Sequence, residues 1–262
     1  MIDNHQQELR RPPNGLPVLK RIPPSAILNW LHAGVSDTWH AGMASLFYGA
    51  SFALAGLVLY AVFAEYYALF AALTTGFLLL GPFLAMGLYD LSRRMEMGQP
   101  ARLRPSLTAW QSNIMNVGIF AGLLVVVLMI WSRASLVVFA LYFEGGLPTF
   151  NDIVLNVITF KQPLFTLVYF AVGGFFAAFV FAISVVSIPL MADRQTDAIT
   201  AGLTSIRVCM KNPLSMLLWG FCIVVLVGFG FATSFLGLIV TMPVIGHATW
   251  HVYRDALAVA DA

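Results

Sequence analysis

The chain has 262 residues, of which 60% are hydrophobic and only 10% charged, with a formal net charge of +2 and a mean hydropathy of +0.84. Soluble domains carry about 25% charged residues, so the composition excludes an ordinary soluble fold. A net charge so near zero says little, because the placement of charge carries more information than its sum; no nucleic-acid partner is expected.

The first 24 residues are polar, proline-rich and interrupted by Arg10, Arg11, Lys20 and Arg21. They read as a disordered segment without a secretory signal, so the first hydrophobic span serves as an uncleaved start-transfer helix. From Ser25 to His40, Ile27, Trp30, Leu31, Val35 and Trp39 recur at helical spacing, which predicts an amphipathic helix with Ser25 as its N-cap.

A helix crossing the membrane needs about 20 predominantly apolar residues. Between Ala41 and Tyr89 the one charge is Glu65, so this stretch reads as two spans, 42–64 and 68–89, joined at Glu65-Tyr66-Tyr67. A third span is expected at 112–131, preceded by a short amphipathic piece from Ser106 to Gln111 with Leu107 and Trp110, and followed by Arg133. The segment 133–161 reads as an outside flap: an apolar run from Leu136 to Phe143, a turn at Glu144-Gly-Gly-Leu-Pro148, and a short helix from Asn151 to Phe160 with Thr149 and Asp152 near its start.

A fourth span is expected at 164–188. A third amphipathic helix follows over Thr196 to Met210, with Ile199, Leu203, Ile206 and Met210 as its stripe. The charge-free stretch from Leu214 to Tyr253 then reads as spans 214–232 and 235–253, turning within Gly228 to Ser234, before a short tail at 257–262. The expected fold is all-α: a polytopic membrane bundle of about six spans in one domain, 25–256. The spans form three hairpins, each preceded by a helix lying in the cytoplasmic interface. Twelve of the 14 Lys and Arg residues fall on one side of these spans, leaving Arg133 and Lys161 on the other, which places both termini in the cytoplasm. Cys209 and Cys222 then have no oxidising compartment in which to pair.

Pro82 to Arg93 aligns without gaps on Pro243 to Arg254, and Pro189 to Arg194 forms a shorter third copy. Three proline-broken helix ends at one face would form a pseudo-threefold vestibule; prolines are also tolerated at helix ends generally. Gly174, Ala178 and Ala182 on the fourth span, ringed by Phe175, Phe176, Phe179 and Phe181, and Gly49 and Ala53 on the first, are small-residue faces suited to helix packing.

No formal charge lies at mid-bilayer depth, which argues against an ion-coupled transporter or an intramembrane hydrolase and for a non-enzymatic role. The best polar constellation joins His247 and His251, one helical turn apart, to His40 and Asp90. It is a candidate metal or haem site, set against simple interfacial hydrogen bonding anchored by Trp250, Tyr253 and Arg254; the zinc-protease pattern fails because Ala248 follows the first histidine. Arg93, Arg94, Arg102 and Arg104 are candidate contacts for anionic lipid headgroups. No motif calls for a catalytic residue or a resident cofactor.

Gly81 to Arg94, Ser184 to Pro189 with Asp193-Arg194, Asn212-Pro213, and Pro243 to Arg254 resemble a family of proteobacterial integral membrane proteins catalogued as a domain of unknown function (number 2189). The resemblance runs from Trp30 to Arg254. It implies the inner membrane of a Gram-negative bacterium and no particular activity. Three functional readings stand together: an accessory or assembly subunit with a membrane-protein partner or a second copy of itself; a channel or facilitator lined by Thr74, Thr75, Ser184, Ser187 and Thr241; and a redox-associated subunit using the histidines.

Overall fold

The structure is a computed structural model that describes residues 17–65, 84–143, 159, 161–194 and 196–257. Its helices are α1 (Ala26–Ala41), α2 (Met43–Glu65), α3 (84–96), α4 (Leu103–Ser106), α5 (Ile114–Tyr142), α6 (Pro163–Ser184), α7 (Ser187–Arg194), α8 (Ala198–Lys211), α9 (Pro213–Ala232) and α10 (Leu238–Ala256). A 3₁₀ turn, Ala109–Asn113, leads into α5. The all-α expectation holds, with no strand among the described residues and one isolated bridge between Leu19 and Leu257.

Four stretches are long and apolar enough to cross a membrane: Met43–Ala61, Leu103–Tyr142, Pro163–Arg194 and Pro213–Ala232. They match the first, third, fourth and fifth expected spans. Most of the second, 68–89, lies outside the described residues. The sixth is a helix, yet it falls short in hydropathy because polar side chains from Thr241 to Asp255 interrupt it. Thirteen residues of α10 are buried, packed against α1, α2 and α9.

Close approach explains this arrangement. A Cβ on Gly34 would stand 2.6 Å from the Val244 carbonyl oxygen, and one on Gly49 would meet the backbone of Ile239, so α1 and α2 both lie directly on α10. The expected face of Gly49 and Ala53 is thus a packing face, with Ala53 buried. Gly42, at φ +54°, turns the chain between α1 and α2 through a conformation that a Cβ disfavours. The turn into α10 comes later than expected, at Thr233–Gly237. Ser234 and Phe235 both take positive φ there, and the Phe235 ring fills the space left by Gly56.

The second unit is the antiparallel pair α5–α6, joined by an aromatic seam in which Phe139 meets Tyr169 at 5.3 Å and Phe143 meets Phe165 at 5.0 Å. The third span is longer than expected. What read as Arg133 at a surface and an apolar run to Phe143 is continuous helix to Tyr142. The rest of the flap, including Thr149 and Asp152, lies outside the described residues. The small stripe of the fourth span does not pack as expected, because Gly174 has open space around its Cα and Ala178 is exposed. Gly173, one residue earlier, meets Trp131 instead.

Two amphipathic helices also turn differently from expectation. In α1 the buried face is Ala26, Ile27, Trp30, Gly34 and Ala41, while Val35 is exposed and Trp39 is 86% exposed. Ser25 makes no capping hydrogen bond. In α8 the buried face is Ala201, Thr204, Ser205 and Val208, and the apolar stripe of Ile199, Leu203 and Met210 faces outward. Asp197 caps α8 by accepting from the Thr200 backbone N–H.

One end of the molecule gathers the chain's polar contacts. Lys20 N–H donates to the Ala256 carbonyl, Asn212 accepts from Ile22 N–H, and Asn113 Nδ2 donates to the carbonyls of Met191 and Thr196. Residues 17–24, expected to be disordered, are therefore held in place. So is Leu257, which is 2% exposed. The chain segments that follow the three prolines meet at this same end: Glu96 accepts from Trp250 Nε1 and Arg254, and Asp193 accepts from the Tyr253 hydroxyl. Aligned residues Tyr89 and Trp250 stack at 6.5 Å. Pro82, one of the three prolines on which the expected vestibule rests, lies outside the described residues.

A buried histidine array as candidate functional site

Because Gly34 lets α1 sit on α10, Asp37, one turn further along α1, hangs over the two histidines of α10. Asp37 Oδ2 accepts from Ser92 Oγ at 2.6 Å and pairs with His251 Nε2 at 3.0 Å. Ser92 Oγ also contacts His247 Nδ1 at 2.7 Å, and His247 Nε2 contacts Ser45 Oγ at 2.7 Å. Four helices (α1, α2, α3 and α10) each contribute to this one chain of contacts.

The proton order follows from counting donors. The single hydroxyl proton of Ser92 goes to the Asp37 carboxylate, so Ser92 Oγ accepts from His247 Nδ1–H. Nε2 of the neutral ring is then an acceptor, and the Ser45 hydroxyl donates to it. The array runs Ser45, His247, Ser92, Asp37, with His251 closing on the same carboxylate. Burial alone would raise the Asp37 carboxyl above its ordinary range; hydrogen bonds from His251 and Ser92, with the nearby imidazoles, outweigh it and hold the carboxyl below that range.

A hydroxyl donating to a neutral imidazole is how an activated nucleophile is set up. Here Ser45 and His247 are both 0% exposed and Ser92 is 2% exposed. The array ties four helices together within the packed interior.

The four residues proposed for a metal do not converge. His247 and His251 share the array. His40 is exposed and bonds to Ser36 on its own helix, and Asp90, 4% exposed, pairs with Arg93 and Arg94. Among the described residues no three His, Cys, Asp or Glu side chains form a metal-binding group. Arg93 and Arg94 share one carboxylate, whereas Arg102 and Arg104 stand exposed. Asp37, Ser45 and Ser92 escape a sequence reading, since none carries a motif. Asp37 could be found only by choosing the Trp30–Gly34–Ala41 face of α1 over the Trp39 face.

These features define a polytopic helical integral membrane protein. Over residues 69–193 the chain matches the model of a family described as predicted integral membrane protein (DUF2189), the family resembled by the sequence motifs. The C-terminal motif from Pro243 lies beyond the matched region. No curated protein and no solved structure matches the chain.

Proposed function

We propose that this protein is a non-catalytic accessory or assembly subunit of a membrane complex in a bacterial inner membrane, with both termini in the cytoplasm and a partner helix seated on the α5–α6 pair. The observation that carries the reading is a side of that pair left uncovered by the other described residues. α5 and α6 pack chiefly on each other and reach the rest of the chain mainly through α7 and α8. Among the described residues, nothing lies within 4 Å of where a Cβ would stand on Gly118 and Gly122, one turn apart on α5, or on Gly174 of α6. In lipid, where apolar burial gives helices no net pull on each other, such small-residue faces are where helices come close. Ser45, His247, Ser92, Asp37 and His251 are hydrogen-bonded to one another in the array.

The channel reading draws on Ser184 and Thr241, whose hydroxyls are buried without a partner among the described residues. Ser187 weakens it, because its hydroxyl is bonded to the Ile183 carbonyl. Thr74 and Thr75 lie outside the described residues.

Purification from native membranes in mild detergent tests the proposal. A stoichiometric membrane partner, or a second copy, should accompany the wild-type chain and be lost from the Gly118→Leu/Gly122→Leu variant. A wild-type protein that runs as a clean monomer rejects it.

A further inference from the structure

We propose that α8 and the start of α9 form a seat for one anionic phospholipid, with its phosphate between Arg207 and Lys211 and its acyl chains along Met210, Leu214 and Leu217. Residues 17–19, Arg207, Met210 and Lys211 line a groove of about 550 Å³. Arg207 and Lys211 are four residues apart and so share a face of α8. Neither has a carboxylate partner among the described residues. Lys211 Nζ donates instead to the neutral Leu19 carbonyl, which leaves its charge uncompensated.

Two further observations make the occupant a lipid. The groove sits at bilayer-surface level, because only Asn212 separates Lys211 from α9, which is apolar enough to cross a membrane. Exposed apolar side chains continue on both sides of that join: Met210 is 76% exposed on α8, and Leu214 and Leu217 are exposed on α9. A cationic pair at headgroup depth beside an apolar ridge running into the hydrocarbon fits an anionic phosphodiester carrying acyl chains. A water-soluble phosphate would leave the ridge bare.

The full chain in nanodiscs, exchanged into mild detergent and weighed by native mass spectrometry, provides the test. Wild type from phosphatidylglycerol discs should retain one lipid, and protein from phosphatidylcholine discs should retain none. Arg207→Gln with Lys211→Gln should weaken retention about thirty-fold, since each basic residue near an anionic surface contributes about a factor of five. A glutamine at 211 can still donate to the Leu19 carbonyl, so the fold should persist; if the double variant does not fold, Arg207→Gln alone should show about a five-fold loss. Equal retention by the variants, equal retention of phosphatidylcholine, displacement of the lipid by millimolar inorganic phosphate, or a dimer that covers the groove with no lipid bound would each overturn the assignment.

Discussion

His247 has no exposed surface, yet both ring nitrogens are matched, one to Ser92 and one to Ser45. Truncating it removes two hydrogen bonds, strands the Ser45 hydroxyl and opens a cavity, so His247→Ala should destabilise the protein by about 2–4 kcal/mol in detergent thermal unfolding. Ser45→Ala removes only a donor and should cost about 1 kcal/mol. Asp37 gives the array a pH signature. Its folded carboxyl titrates below the unfolded value, so its contribution is complete above about pH 4 and is lost as the pH falls through the lowered folded value. Asp37→Asn should flatten the acid side of the stability profile without abolishing it, because Asp197 is lowered in the same sense by the Thr200 N–H. An acid slope equal to wild type in that variant would show that Asp37 is not coupled to folding. The two histidines of α10 were legible as a pair from their spacing. Their partners were not, since serines and a lone aspartate carry no sequence signal until three other helices bring them into contact.

Elements were easier to locate than to orient. The apolar spacing of α1 and α8 marks both as amphipathic helices, but it does not say whether the stripe faces protein or lipid. Where lipid competes for apolar side chains, the protein-facing side is the one with small and hydrogen-bonding residues: Gly34 and Asp37 in α1, Ala201, Thr204 and Ser205 in α8. The same logic separates glycines that look alike in sequence. Gly49 lies against the backbone of Ile239, which cannot withdraw, so Gly49→Ala should lower the unfolding temperature clearly. Gly118 has open space, so Gly118→Ala should leave folding unchanged or slightly improved, because alanine is the better helix former by about 1 kcal/mol. If both variants unfold like wild type, the close contact of α2 with α10 is wrong. The length of α5 escaped the reading for a different reason. Arg133 looks like an end-of-span charge, yet it is an exposed side chain on a helix of 29 residues. That length, about 43 Å at 1.5 Å per residue, exceeds a hydrocarbon core of about 30 Å, so α5 must tilt or project beyond it.

At the scale of the whole molecule, charge asymmetry sets an expectation of sidedness, while hydropathy alone says little of α10, because an average over a helix does not distinguish protein-facing from lipid-facing residues. The architecture brings one pair of helix ends together. Asn113, before α5, bonds to Met191 and Thr196, after α6, so the two ends of this hairpin lie at one level. Lys161, before α6, must then lie at the other. Single cysteines at Gln99, Lys161 and Ile199, all exposed positions, test this directly in a Cys209→Ser/Cys222→Ser background. Removing Cys209 should cost little label, since burial pushes its thiol up to about 11 and keeps it largely protonated near neutral pH. In right-side-out vesicles an impermeant maleimide should modify the cysteine at 161 and spare those at 99 and 199; in inverted vesicles the pattern should reverse. Labelling of 99 and 161 from the same side would mean that α5 does not cross. The uncovered face of Gly118 and Gly122 would then meet water or headgroups, where a partner helix has no reason to dock.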